Sequence, residues 1–277
     1  MLEVGLYHKL TAARDTSVGV FLVDQDGEEV LLPRKYVPRE LETGEDLEVF
    51  VYRDSKGRLI STTLKPFAQR NEFAFLRVKQ LSQHGAFLDW GLEKEILVPF
   101  SHMKKPMEAG QSYVVYLYLD QVTDRVVASA RVEAFTSREG VYVQAGEKVR
   151  ILVYEESELG YKAIINHRYI GLLYHNEIFQ PLAVGDQLDA WVKKIRPDEK
   201  IDLVLTQPGH ESIEPQAAKI LKKLQATSFL PLHDKSEPEA IKAAFGMSKK
   251  AFKRAIGSLY KQKLIRIESD GIHLVEG

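Results

Sequence analysis

The chain has no cysteine, which excludes disulfides, thiolate nucleophiles and cysteine-ligated zinc and fits a reducing compartment. Long apolar runs are missing too. Nothing approaches the roughly 18 apolar residues of a membrane span, and Met1-Leu2-Glu3-Val4-Gly5 lacks the basic-then-apolar order of a secretion signal. A cytoplasmic protein with no membrane partner is expected. Catalytic signatures are equally scarce. The histidines (His8, His84, His102, His167, His175, His210, His233, His273) are scattered, and no His-Glu-x-x-His zinc helix, phosphate-binding glycine loop or nucleophile elbow occurs. Asp24 with Asp26, or Asp198 with Asp202, are imaginable metal ligands, but both pairs fall in predicted turns, where Asp is common for backbone reasons. No catalytic residue, metal or cofactor is expected, and the chain reads as a binding protein rather than an enzyme.

What the chain does have is a repeat. Counting from Gly19, Gly85 and Gly160, the same signs recur at fixed offsets. Fourteen residues on stand Pro33, Pro99 and Tyr174, each behind an apolar pair; twenty-five on, Gly44, Gly110 and Gly185; thirty-one on, Phe50, Tyr116 and Trp191. In the second copy, strands are expected at 73–79, 85–90, 96–98, 113–119 and 125–129. Pro99 ends the third, because it has no N–H to donate to a continuing ladder. Five short strands in about 65 residues suit a small OB-type barrel better than a sandwich, which needs about seven. The first glycine of each unit is expected to permit a sharp bend or bulge at the barrel corner.

The net charge of -1 conceals a gradient. Residues 1–65 hold 9 Lys+Arg against 12 Asp+Glu, residues 66–140 hold 9 against 9, residues 141–209 hold 8 against 10, and residues 210–277 hold 12 against 8. A polyanion would meet the basic tail first. That tail carries helical patterns. Ala217, Ile220, Leu221 and Leu224 give one buried stripe behind Pro215, a second short helix is expected at 238–245, and Ser248 is placed to cap a third whose apolar face is Phe252, Ile256 and Leu259. Residues 264–267 and 272–275, around Ser269-Asp270-Gly271, read as a hairpin. Three helices and a hairpin resemble a winged helix. The fold class expected is therefore mainly β with a C-terminal α+β domain: OB barrels at 1–65, 66–140 and 141–209, then a winged helix at 210–277.

Gly85-Ala86-Phe87-Leu88-Asp89, followed by Ile96-Leu97-Val98-Pro99 and Gly110, resembles the S1 RNA-binding domain. Val18-Gly19-Val20-Phe21-Leu22 and Leu159-Gly160-Tyr161-Lys162-Ala163 open weaker copies. That resemblance implies bases stacked on aromatics of the barrel face, with basic residues on the backbone. The matching positions are Phe21, Phe87 and Lys162 for the central Phe; Val18, His84 and Leu159 for the aromatic before it; and Pro33, Pro99 and Tyr174 for a His. For Phe21 and Phe87, a place in the core competes with this reading. The third unit is the preferred barrel, because Tyr161, Lys162, Tyr174 and His175 sit where the family touches RNA and Lys193, Lys194 and Arg196 lie close in sequence.

Two further groups carry alternatives. In the fourth strand, Leu47, Val49 and Val51 alternate with Glu48 and Phe50, so Phe50, and by repeat Tyr116 and Trp191, face away from the apolar set. They read either as a stacking platform or as glue between successive domains. On the third tail helix, Lys249, Lys250, Lys253, Arg254 and Lys261 lie off the apolar stripe. In winged helices this element usually meets nucleic acid; the alternative is a solvated face.

The order of three S1-like barrels and a winged helix resembles the bacterial conserved virulence factor B family, including Asp26-Gly27-Glu28-Glu29-Val30-Leu31-Leu32-Pro33 in the first unit. The resemblance implies a cytoplasmic regulator that binds single-stranded RNA and acts after transcription. The competing expectation is a duplex DNA binder that uses the winged helix, with the barrels as a protein-contact arm.

Overall fold

The computed structural model describes residues 2–137, 140–207, 215–261 and 264–275. His210 and the expected boundary at 209/210 lie outside the described residues. The chain divides into two compact units, Met1–His175 with Leu182–Leu203, and Asn176–Pro181 with Val204–Gly277.

The first unit holds the three repeats. Strands β1 (Leu6–Thr16), β2 (Gly19–Val23), β3 (Glu29–Pro33), β4 (Asp46–Arg53) and β5 (Leu59–Thr62) close a barrel in the order β1-β2-β3-β5-β4. The order recurs in β11 (Lys148–Ser157), β12 (Gly160–Ile165), β13 (Tyr169–Tyr174), β14 (Gln187–Ile195) and β15 (Ile201–Val204), again closed. Both barrels are sealed by a parallel pair, Leu31 opposite Ile60 and Gly171 opposite Ile201. Between them, β6 (Phe73–Ser82), β7 (Gly85–Asp89), β8 (Ile96–Pro99), β9 (Ser112–Asp120) and β10 (Arg125–Ser129) form a five-stranded sheet in the matching order, with its edge strands β8 and β10 side by side. Each unit has its own core. In the first barrel Leu10, Leu22, Leu32, Val49 and Val51 are buried together, at about 1.5–3 kcal/mol for each large side chain.

The structure corrects the role expected of the first glycine. The bulge lies on the strand before it. Pairing shifts register between Ala12 and Arg14, between Val78 and Gln80, and between Val153 and Glu155, the same place in each repeat. The glycine answers a different need. A Cβ on Gly19, Gly85 or Gly160 would stand 2.1, 2.1 and 1.9 Å from the backbone carbonyl oxygens of Leu32, Val98 and Leu173. Their φ values of 149°, 147° and 153° are ones that side chains disfavour. Only glycine lets the second and third strands approach this closely.

The second unit contains α1 (Pro215–Thr227), β16 (Phe229–Leu230), α2 (Pro238–Phe245), α3 (Lys249–Lys261), β17 (Ile265–Ile267) and β18 (Ile272–Leu274). The strands form a sheet in the order β16-β18-β17. The short β16 adds a third strand to the expected hairpin. Ala217, Ile220 and Leu224 of α1 pack with Phe252, Ile256 and Leu259 of α3, as the helical spacing requires. Ser248 caps α3, its Oγ accepting the Ala251 N–H at 3.2 Å, and Gly246 ends α2 in the left-handed conformation. No helix of the described residues is long and apolar enough to cross a membrane.

Gly85→Ala is expected to lower stability by about 2–5 kcal/mol, combining backbone strain with a forced retreat of β8. Urea unfolding followed by the fluorescence of Trp90, buried in the second barrel, measures it; an unchanged midpoint would mean that the Val98 carbonyl yields freely.

Candidate nucleic-acid interface

The outward aromatics of the fourth strands divide in the structure. Phe50 does face away from its own core, but it is fully buried among the residues of the second barrel. Its ring meets Tyr7 at 5.3 Å and Trp90 at 5.7 Å, both edge-on. Tyr116 stacks on Phe135 at 4.4 Å and touches Phe73 at 4.7 Å, within a cluster that includes Leu152 and Ile164 of the third barrel. There the Phe73 N–H donates to His167 Nδ1 at 2.9 Å. Glue between barrels is therefore the role of Phe50 and Tyr116, and the stacking-platform reading fails for them. Polar ties reinforce the first seam. Arg53 Nε donates to Asp124 Oδ2 at 2.8 Å, and the Lys94 ammonium donates to the carbonyls of Arg53 and Asp54 at 3.2 and 2.9 Å. Burial lowers the pKa of Lys94. Trp191, half-buried, instead has the Lys148 ammonium 5.8 Å from its ring centroid.

Because bulge and glycine recur, each barrel presents an equivalent outward row across its first three strands. The rows are Arg14–Phe21–Leu31, Gln80–Phe87–Leu97 and Glu155–Lys162–Leu172. Phe21 and Phe87 are half-exposed, so the face rather than the core is their place. Their surroundings differ. The Arg14 guanidinium, itself paired with Glu29 at 2.8 Å, covers Phe21 at 3.8 Å from the ring centroid. Uncharged Gln80 takes that position in the second barrel. Phe87 there lines a cleft of about 400 Å³ with His84, Pro99, His102 and Tyr118, in which the His102 and Tyr118 rings stack at 5.4 Å. Arg125 and Lys94 stand on the same cleft.

On the third barrel the row is ionic. One carboxylate oxygen of Glu155 accepts from Lys162 at 2.6 Å and the other from Lys104 at 2.5 Å. Burial pushes the Glu155 carboxyl up, but hydrogen bonds from these lysines outweigh it and hold the group below the usual carboxylate range. Arg196 pairs with Asp202 at 2.8 Å, which raises the guanidinium pKa; its plane lies 5.8 Å from the ring centroid of Tyr174. Tyr161 meets His175 edge-on at 5.4 Å, and His175 donates to the Ser157 carbonyl at 3.0 Å. Lys193 and Lys194 are exposed. Lys162 and Arg196 border a cleft of about 610 Å³ floored by Ile170 and Leu172. Of the third-barrel residues that the sequence singles out, Lys162 and Arg196 share one cleft, each ion-paired, with Tyr174 beside Arg196; Tyr161 and His175 form a separate pair, and Trp191 lies with Lys148. Asp202, expected in a turn, sits in β15. Asp24 Oδ1 accepts the N–H groups of Asp26 and Glu28 at 2.9 and 2.8 Å, a backbone role.

In the second unit, Lys250, Lys253, Arg254 and Lys261 of α3 are exposed, whereas half-buried Lys249 donates to the Lys235 carbonyl at 3.3 Å. Tyr260, 57% exposed, lies on the same helix. Sequence reading missed it, although it stands seven residues after Lys253 and so shares that side.

Five-stranded OB barrels with outward aromatic and basic residues, joined to a winged helix, define an S1-type nucleic-acid-binding protein. The family model described as S1 domain matches residues 4–64 and 73–131, and that described as CvfB-like winged helix domain matches residues 218–274. Conserved virulence factor B of Staphylococcus epidermidis is 31% identical over 263 residues, covering 91% of this chain and 88% of the relative. The protein of the same name from Staphylococcus saprophyticus is 30% identical over 268 residues, covering 91% and 87%. The chain belongs to the conserved virulence factor B family. A crystal structure of a multidomain protein with nucleic acid binding domains from Streptococcus pneumoniae is 26% identical and covers 98% of each chain, with a TM-score of 0.43.

Phe50→Ala is expected to cost about 3–5 kcal/mol and to loosen the first barrel from the second. Limited proteolysis between residues 62 and 73, alongside urea unfolding, tests both halves of this expectation.

Proposed function

We propose that the chain binds single-stranded RNA along the outward faces of its barrels and the basic side of α3, and acts in the cytoplasm on gene expression after transcription. It works as four modules, 1–65, 66–140, 141–209 and 210–277. The observation that carries the reading is the open ring of Phe87 in a cleft shared with His84, His102 and Tyr118. Such a surface takes a base by its flat face, and a base offers that face only when it is unstacked, as in a single strand. A duplex hides it.

Around this stacking site the other contacts are mainly electrostatic. Phe21 contributes at the first barrel once Arg14 swings aside. At the third barrel, Tyr161, Tyr174, His175 and Trp191 offer rings, and Lys162, Lys193, Lys194 and Arg196 offer charge. Lys249, Lys250, Lys253, Arg254 and Lys261 of α3 hold phosphates.

Fluorescence anisotropy with matched RNA, single-stranded DNA and duplex DNA oligomers is expected to rank RNA first and duplex last; tighter binding to duplex overturns the reading in favour of a winged-helix DNA binder. Phe87→Ala is expected to weaken RNA binding by about 1–3 kcal/mol, with an unchanged thermal midpoint as the control. Replacing Lys250, Lys253, Arg254 and Lys261 together by Gln is expected to weaken every oligomer alike and to flatten the salt dependence by about 0.7 per lost phosphate contact. An unaltered slope would remove α3 from the site.

A further inference from the structure

One carboxylate on the first unit is held in the way a phosphate would be. Glu155 occupies the row position filled by Arg14 and Gln80 in the sibling barrels, and its two oxygens each accept from a different lysine. Lys162 lies beside it on β12, and Lys104 reaches across from the second barrel, where Glu133 also stands 3.3 Å away. All four members of this chain of charges remain open to solvent, with side-chain exposures of 37% for Glu133, 50% for Lys104, 30% for Glu155 and 36% for Lys162. The pair sits on a ridge. Lys104 and Glu155 line a cleft of about 480 Å³ on one side, and Lys162 lines the cleft of about 610 Å³ on the other.

We infer that Lys104 and Lys162 form a phosphate clamp across the seam between the second and third barrels, and that Glu155 is its built-in occupant, displaced when a nucleic-acid phosphate enters. This rests on the RNA reading and adds Lys104, outside the sequence-derived site, to it. Two ammonium groups converging on the two oxygens of one carboxylate make a ready site for two oxygens of one phosphodiester, which carries the same single charge. Exposed ion pairs of this kind are weak, so the exchange is easily reversed. The clamp divides the labour between barrels: the second stacks bases on Phe87, and the third, with Lys162 where its siblings have Phe, holds backbone.

Anisotropy titrations of the full chain with a single-stranded RNA oligomer over a salt series test this. Glu155→Gln keeps the side-chain shape and removes the charge. It is expected to tighten binding roughly threefold to tenfold and to steepen the salt dependence by up to about 0.7 for each lysine released. Adding Lys104→Gln to Glu155→Gln is expected to cancel most of the gain. Unchanged affinity and slope in Glu155→Gln overturn the clamp. Because Glu155 also ties two barrels, a second variant leaves it in place: Lys104→Gln with Lys162→Gln is expected to weaken RNA binding severalfold, and wild-type affinity in that variant overturns the clamp as well. If the unaltered chain binds no RNA, the broader reading falls with it; if the chain binds and the variants do not differ, only the clamp falls.

Discussion

In each repeat the carbonyl of the third strand comes so near the second that no side chain fits between them, and this contact sets everything that faces outward. Gly19, Gly85 and Gly160 accept it at φ near 150°. One extra residue on the preceding strand, at the bulge, then tilts the ladder so that the residues five before and two after the glycine stand opposite each other. Without the glycine the strands part; without the bulge the register slips by one, which would turn Phe87 into the core and Leu88 out. The same backbone device is kept three times while the side chains on it change freely. That is why one fold presents a capped ring, an open ring and an ion pair at equivalent places.

The seams between barrels consume the other outward face. Once Phe50 is buried against Trp90 and Tyr7, and Tyr116 against Phe135, those two rings are closed to a ligand, and on β9 it is Tyr118, two residues on, that still faces a cleft. Burying a Phe contributes about 1.5–3 kcal/mol, comparable to the gain from stacking one base, so the choice between glue and platform is not settled by the strength of either contact. It is settled by what stands opposite. The alternation of Leu47, Val49 and Val51 with Phe50 was enough to read that the ring leaves its own core. Its partners Tyr7 and Trp90 come from distant parts of the chain, and no local period reports that they meet there.

Legibility falls off in the same way elsewhere. Barrel strands, the buried stripes of α1 and α3 and the Ser248 cap follow from local rules of period and hydrogen bonding, and they stand where those rules place them. Lys162 was legible as the departure from the Phe of its siblings. Its partner Glu155 is seven residues earlier on the neighbouring strand, across a bulge that the local pattern does not announce. Lys104 follows a 3-10 turn of another barrel. Aromatic faces are properties of one strand; charge clusters are properties of a fold.

Charge totals along the chain do not report how charges are paired. Residues 66–209 are near neutral in sum, and Lys104, Lys162 and Arg196 stand with Glu155 and Asp202 at hydrogen-bonding distance. An exposed pair of this sort is worth about 0–1 kcal/mol, so its cation is held in place rather than withdrawn. In the proposed binding mode a phosphate arriving there would exchange with a tethered carboxylate, which stays nearby, whereas one arriving at the exposed lysines of α3 would displace mobile counterions into solution. Only the second process carries the full entropy of release and the steep dependence on salt. The two surfaces therefore differ in the salt dependence expected of them if each meets phosphate as proposed: steep at α3, shallower at the Glu155 ion pairs.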